Sequence, residues 1–298
     1  MKKSLIPLLL ALLATPALAD KLPVLASFSI LADLTREVGG ERVDVASLVG
    51  PDQDAHVFQP APQDVKKLAA AKVFVVNGLG FEGWLSRLSK SSGFKGQTVV
   101  ASQGVKAQDM AEEEHDHHGH DHGHTDPHAW HNPQNVKLYV NNIRAALTQA
   151  DPAGKDYYSQ RASQYSQQLD ALDADARQRF AAIPASQRKV LTSHDAFGYL
   201  AQRYQIRFLS PQGVSTDAEA SAKTVAKLVR QVKAEKIRAV FVENMSDKRL
   251  LEQLSREAGV QVGGKLYADA LSPANGPASS YLKLFSHNVN SLSAAMKP

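Results

Sequence analysis

The chain of 298 residues contains no cysteine. That excludes disulfides, thiolate metal sites and a lipid-modified N-terminal cysteine, so any metal chemistry must come from His, Asp and Glu. A strong excess of one charge is missing as well. The formal net charge is +4, and loss of Lys2 and Lys3 with a cleaved leader would leave +2. That is too little to argue for nucleic acid or an anionic membrane as a partner. Long apolar runs are also lacking. The run from Leu5 to Leu13 falls short of the roughly 20 residues that span a bilayer, and no later segment approaches that length. Lys2 and Lys3 before this run, and Ala17-Leu18-Ala19 after it, mark residues 1–19 as a secretory signal peptide with Asp20 as the mature start. An exported chain without cysteine reads as a monomer free in the periplasm, not a lipoprotein.

What the chain does have is histidine, gathered in one stretch. Residues 112–133 read EEEHDHHGHDHGHTDPHAWHNP. His115, His117, His118, His120, His122 and His124 lie among acids and glycines, with almost nothing apolar. Neutral imidazole is a good ligand for zinc, copper or nickel. The composition cannot pack a core, so residues 112–125 are expected to form a mobile loop that gathers metal without defining one ligand set. The alternative is a solvated acidic loop or an expression tag. Asp126-Pro127-His128 differs, because proline fixes its own φ and biases Asp126 toward extended backbone. His128 therefore stands where the tract meets ordered structure.

The rest of the sequence alternates short apolar strands with amphipathic helices, the pattern of parallel sheets covered on both faces. Strands are expected at 23–28, 43–49, 73–77 and 98–101, then at 190–193, 206–209, 239–243 and 265–268. Tyr158, Ala162, Tyr165, Leu169, Leu172, Ala176 and Phe180 recur every three or four residues with no Gly or Pro between them. They predict a helix over 156–183, about 40 Å long at 1.5 Å per residue. Thr216 or Asp217 is expected to cap a later helix. The organisation implied is an α/β lobe over 20–150, a rigid linking helix within 151–184 and a second α/β lobe over 185–298.

On this map His56, His128, His194 and Asp269 each lie beyond the carboxyl end of a strand, two per lobe. Open parallel sheets bind ligands there, so the four can meet between the lobes, and three imidazoles with one carboxylate make a closed tetrahedral zinc set. His and Asp at strand ends also cap helices, which leaves a structural reading open for each. His131 is close enough to His128 on a helical turn to share a metal. His287 reads as solvated, and Glu243 as the holder of a structural hydrogen bond.

The segments GPDQDAHVFQP, DPHAWHNP, TSHDAFGYL and KLYADALS together resemble the metal-specific solute-binding proteins of bacterial ABC importers, the cluster A group that holds zinc and manganese binders. The resemblance implies two α/β lobes tied by one long helix, with His56, His128, His194 and Asp269 as the metal ligands. It further implies zinc, because zinc binders resemble this chain in having His at 194, where manganese binders usually have Glu. It implies the permease of a zinc ABC importer as partner and no enzymatic activity. The His-rich loop, read by itself, is expected to raise local zinc near the cleft, to accept zinc from a periplasmic chaperone or to sense zinc supply. Manganese binding, a periplasmic zinc buffer or adhesion protein, and a zinc hydrolase are the alternatives. The hydrolase is disfavoured because Asp269 would fill the position that catalytic zinc keeps for water, and no H-E-x-x-H motif is present.

Overall fold

The computed structural model describes residues 20–108, 125–217 and 219–297. The expected signal peptide at 1–19 and the tract His115, His117, His118, His120, His122 and His124 lie outside the described residues.

The first lobe contains β1 (Leu22–Phe28), α1 (Ser29–Gly39), β2 (Val43–Val49), α2 (Pro62–Ala70), β3 (Val73–Val76), α3 (Leu85–Ser92) and β4 (Gln97–Val100). Its strands are all parallel, in the order β2-β1-β3-β4. β1 and β3 are almost wholly apolar and buried, as central strands covered on both faces require. α1 ends at Gly39, and Gly40 takes φ +53, a left-handed turn that glycine enters at no steric cost.

Two long helices follow, α4 (Pro133–Ala150) and α5 (Lys155–Ala181). The second lobe holds β5 (Lys189–Leu191), α6 (Gly198–Tyr204), β6 (Arg207–Leu209), α7 (Ala222–Ala234), β7 (Ala239–Glu243), α8 (Lys248–Ala258), β8 (Gly264–Leu266) and α9 (Tyr281–Met296). Its sheet, ordered β6-β5-β7-β8, is again parallel. Several boundaries differ from the sequence expectation by one or two residues, β8 for example ending at Leu266 rather than Ala268, and two larger or better explained differences stand out. Ser221, rather than Thr216 or Asp217, caps α7 by accepting the Thr224 N–H at 3.1 Å. β5 stops at Leu191 rather than Ser193, because the Ser193 and His194 N–H groups bond the Glu243 side chain instead of a neighbouring strand. Among the described residues no helix is long and apolar enough to cross a membrane.

α5 is 27 residues long and packs against both lobes. Its first half lies on α1 and α4, where Tyr158 is fully buried. Its second half meets α6 and α9. There Asp173 accepts hydrogen bonds from Arg203 Nη2 at 2.6 Å and Tyr204 Oη at 2.9 Å, pinning the second lobe to the helix. α9 in turn reaches back to the first lobe, with the Tyr281 N–H donating to Asp33 on α1 at 2.7 Å. The lobes are thus joined along their length by packed helices.

Burial would raise the Asp173 carboxyl, but hydrogen bonds from Arg203 and Tyr204 outweigh it and hold the group below its ordinary 3.8. A carboxyl depressed by folding contributes stability above its unfolded pKa and loses it as pH falls through the folded value. Asp173→Ala is therefore expected to cost about 2 kcal/mol at neutral pH, and less at pH 3. Urea midpoints at the two pH values measure this. A midpoint unchanged by the substitution at neutral pH would mean the contact contributes nothing to holding the lobes.

Candidate metal centre

Four side chains from four strand ends converge between the lobes. His56 follows β2, His128 follows β4 by way of residues 101–127, His194 follows β5, and Asp269 follows β8. One ligand atom from each lies within 4.8 Å of every other. His56 Nε2 stands 3.3 Å from His128 Nε2 and 3.2 Å from Asp269 Oδ2. His194 Nε2 is 3.2 Å from the same oxygen, and His128 Nε2 is 3.5 Å from Asp269 Oδ1. Tetrahedral ligands about 2.0–2.1 Å from one cation stand roughly 3.3–3.4 Å apart. The four approaches bracket that edge length. Neither Asp269 oxygen, nor His194 Nε2, has a hydrogen-bond partner among the described residues. A fully buried carboxylate without such partners is costly unless a charge compensates it, so the donor set fits a divalent cation.

The local chemistry that aims these ligands is readable. In Asp54-Ala55-His56 and again in Asp126-Pro127-His128, the aspartate Oδ1 accepts the N–H of the histidine two residues on, at 2.9 Å each. This is the turn that Asx residues make with their own backbone. Asp126 Oδ1 also lies 2.8 Å from His128 Nδ1, fixing the ring with Nε2 toward the cluster. On the second lobe, the register of β5 against β7 pairs Val190 with Ala239 and Leu191 with Val240. Carried three residues further, it sets His194 beside Glu243. Glu243 takes the Ser193 and His194 N–H groups at 2.9 and 3.0 Å and also pairs with His194 Nδ1. Glu243 thus holds a ligand, and Asp126 does the same for His128. The shared Asp-x-His spacing was the signal in the sequence that marks Asp54 and Asp126.

Behind the ligands lies an apolar wall. Phe81 meets the His56 ring edge-on at 4.8 Å, and Trp130 meets His128 at 5.2 Å. Phe28 packs against both Phe81 and Trp130. This wall excludes water and strengthens the charge interactions inside it. His131 does not join the cluster. It is fully buried between Trp130 and Phe197, neither ring nitrogen has a partner among the described residues, and burial together with the neighbouring His128 lowers its pKa to about 3. His287 is not simply solvated, since its Nε2 sits 2.9 Å from the Lys265 carbonyl and its ring meets Tyr267 edge-on.

Burial would raise the Asp269 carboxyl, but the charges of His194 and His128 outweigh it and hold the group well below the usual carboxylate range. For His194 burial works toward the neutral ring, while Glu243 and Asp269 more than reverse it and hold the imidazolium well above 6.5. The shift favours a proton on His194 beside Asp269 and Glu243 where no cation is bound.

The family described as ZnuA, zinc-uptake complex component A, periplasmic, matches residues 24–295. The chain belongs to this family. It is 32% identical to the iron-binding protein YfeA of Yersinia pestis, over 95% of this chain and 91% of that one. It is 28% identical to the manganese ABC transporter substrate-binding lipoprotein PsaA of Streptococcus pneumoniae, over 93% and 90% of the two chains. The fold is that of the periplasmic zinc-binding protein TroA from Treponema pallidum, with TM-score 0.87, 28% identity, and coverage of 94% of this chain and 100% of that one. The family's members are metal-binding substrate-binding proteins of ABC transporters, which work with a permease and an ATPase, and are not enzymes. The hydrolase reading is set aside on that ground. One expectation is corrected. Freedom in the periplasm as a non-lipoprotein was argued from the lack of cysteine, and relatives matched over 90% of their own length, PsaA among them, are named lipoproteins. Cysteine content addresses one anchoring chemistry rather than the compartment, and the location that the family supports is periplasmic or surface-exposed.

Glu243→Gln is expected to weaken metal binding by about 10- to 100-fold, as loss of a ligand's orienting partner does. It should also flatten the pH dependence. In the unaltered protein a cation must displace the His194 proton, so affinity should fall about tenfold per unit as pH drops through the neutral range. Chelator competition at three pH values reads both effects. An equal slope in the variant would show that Glu243 does not hold that proton.

Proposed function

We propose that the chain captures Zn2+ outside the cytoplasm through His56, His128, His194 and Asp269, and delivers it to the permease of a zinc ABC importer. The observation that carries this reading is the three-nitrogen, one-carboxylate cluster, its ligand atoms all within 4.8 Å of one another and two imidazoles 3.2 Å from one Asp269 oxygen, around two unpartnered Asp269 oxygens. Three imidazoles suit a borderline cation, whereas manganese prefers more oxygen and higher coordination. TroA, named for zinc, has the same fold. The second reading is manganese or iron. It draws on the names of PsaA and YfeA, and on the second Asp269 oxygen, which faces His128 at 3.5 Å and offers a fifth donor. Copper(II) competes in vitro under either reading, because it heads the affinity order for such donors.

The working division of the chain is a leader at 1–19, lobes at 20–150 and 185–298, and the linking helix between them. The histidines His115, His117, His118, His120, His122 and His124 serve as an accessory collector. Their grip is weaker than the cleft's, because ordering a Gly-rich, charged segment costs conformational entropy.

Competition against a calibrated chelator tests the reading. The mature chain is expected to hold one Zn2+ tightly. That ion should survive deletion of residues 112–125 and be lost in His194→Ala. Tight binding lost with the tract and kept in His194→Ala would leave a histidine-rich sponge and end the transport reading. His194→Glu replaces a nitrogen with oxygen and is expected to shift the zinc-to-manganese affinity ratio toward manganese by at least about tenfold. A ratio unmoved by the substitution would remove His194 as the discriminating ligand.

A further inference from the structure

Three of the four cluster side chains are wholly buried; His56 alone keeps some exposure, 5%. It is also held differently. His128 and His194 each have a carboxylate on Nδ1, Asp126 and Glu243 respectively, whereas the recorded anchor of His56 is its backbone N–H on Asp54 Oδ1 at 2.9 Å. The other oxygen of Asp54 is taken from across the cleft, by the Thr216 hydroxyl at 2.6 Å. Two residues earlier the same loop is tied to the second lobe again. The Asp52 N–H donates to the Leu271 carbonyl at 2.9 Å, and Asn244 Nδ2 donates to Asp52 Oδ1 at 2.8 Å. Asp52 stands at φ +54, a left-handed conformation uncommon outside glycine that persists only where its surroundings hold it. On its own lobe the loop is held at Ala55, which is buried and whose carbonyl accepts the Trp84 Nε1–H at 2.9 Å, while Asp52 and Asp54 on either side of the turn are held by bonds to the opposite lobe.

We infer that Thr216 and Asn244 latch the Asp52–His56 segment as the door of the metal site, with Thr216 a positioning residue that governs release through Asp54 and His56. Opening the door withdraws one imidazole and leaves His128, His194 and Asp269 in place on the buried wall. Departure of the cation is then limited by breaking the latch. Capture begins on the three remaining ligands, before the door shuts, so the latch enters the dissociation rate and not the association rate. Thr216 is half-buried in the segment before α7 and touches no ligand atom of the cluster. Its substitution acts only through the strap.

This inference rests on the metal-capture reading above, and one experiment keeps the two apart. Mature protein loaded with Zn2+ is mixed rapidly with excess chelator, and association is followed separately with a zinc-responsive dye. A wild-type chain that retains no zinc would end the capture reading. Given retention, Thr216→Val, which keeps the shape and removes the donor, is expected to release zinc roughly tenfold faster, with association changed by less than about twofold. Thr216→Ser should restore release to near the wild-type rate. The metal-free melting temperature of Thr216→Val should fall by no more than about 2–4 °C, the effect of losing one rim hydrogen bond. Unchanged release in Thr216→Val overturns the latch. So does an affinity loss carried by slower association, or a Thr216→Ser variant as fast-releasing as Thr216→Val.

Discussion

The architecture depends on one unfavourable fact: Asp269 is a carboxylate with no exposed surface and no hydrogen-bond partner among the described residues. Stripping an ion of water is expensive, and only opposite charge at short range offsets the cost. The imidazoles around it, His194 foremost, hold its pKa well below the usual carboxylate range, and a divalent cation would supply the charge directly. The remainder of the site follows from this need. Imidazoles must arrive from both lobes, their far nitrogens must be fixed, and water must be kept out by Phe28, Phe81 and Trp130. Because the ligand atoms come from both lobes, their spacing holds only if the lobes keep a fixed relation. α5, gripped by both lobes and locked by Asp173, and α9, returned to Asp33, maintain that relation.

That bracing gives the cleft a particular kind of motion. A hinge between lobes needs a short, yielding connection, and here the connection is a 27-residue helix with packed side chains on both halves. The segment that carries His56 is tied to the second lobe by individual hydrogen bonds from Thr216 and Asn244, and to its own lobe by the buried Ala55. Such elements are the low-stability end of a structure and the natural place for ligand passage. Stiff lobes and a yielding rim are complementary: the first keep three ligands in register while the second admits the ion.

Much of this was legible in the sequence, and the reasons are specific. The alternation of apolar strands and amphipathic helices announced both parallel sheets, because buried parallel strands have no polar face to blur the pattern. The spacing from Tyr158 to Phe180 announced α5. The placement of His56, His128, His194 and Asp269 after strands brought them to one end of their sheets. What the sequence concealed was of another kind. The end of β5 came early because a side chain, Glu243, took backbone donors that a strand would have used. The cap of α7 lay at Ser221, where the helix begins, and Thr216 instead donates to Asp54 across the cleft. Both departures are long-range polar contacts, which leave no periodicity behind. They are also the contacts that aim ligands.

His131 shows how the same residue type takes opposite meanings a turn apart. His128 has a carboxylate on one nitrogen and the cluster on the other, so its ring presents Nε2 in a defined orientation. His131 has neither, and burial keeps its ring neutral between Trp130 and Phe197. An unpartnered neutral imidazole carries a smaller desolvation cost than an unpartnered ion, and its aromatic faces recover part of that by packing. The contrast explains why counting histidines is a poor guide to metal sites. What separates ligand from filler is the second nitrogen: a histidine aimed by a carboxylate donates in a fixed direction, and one packed only by rings does not.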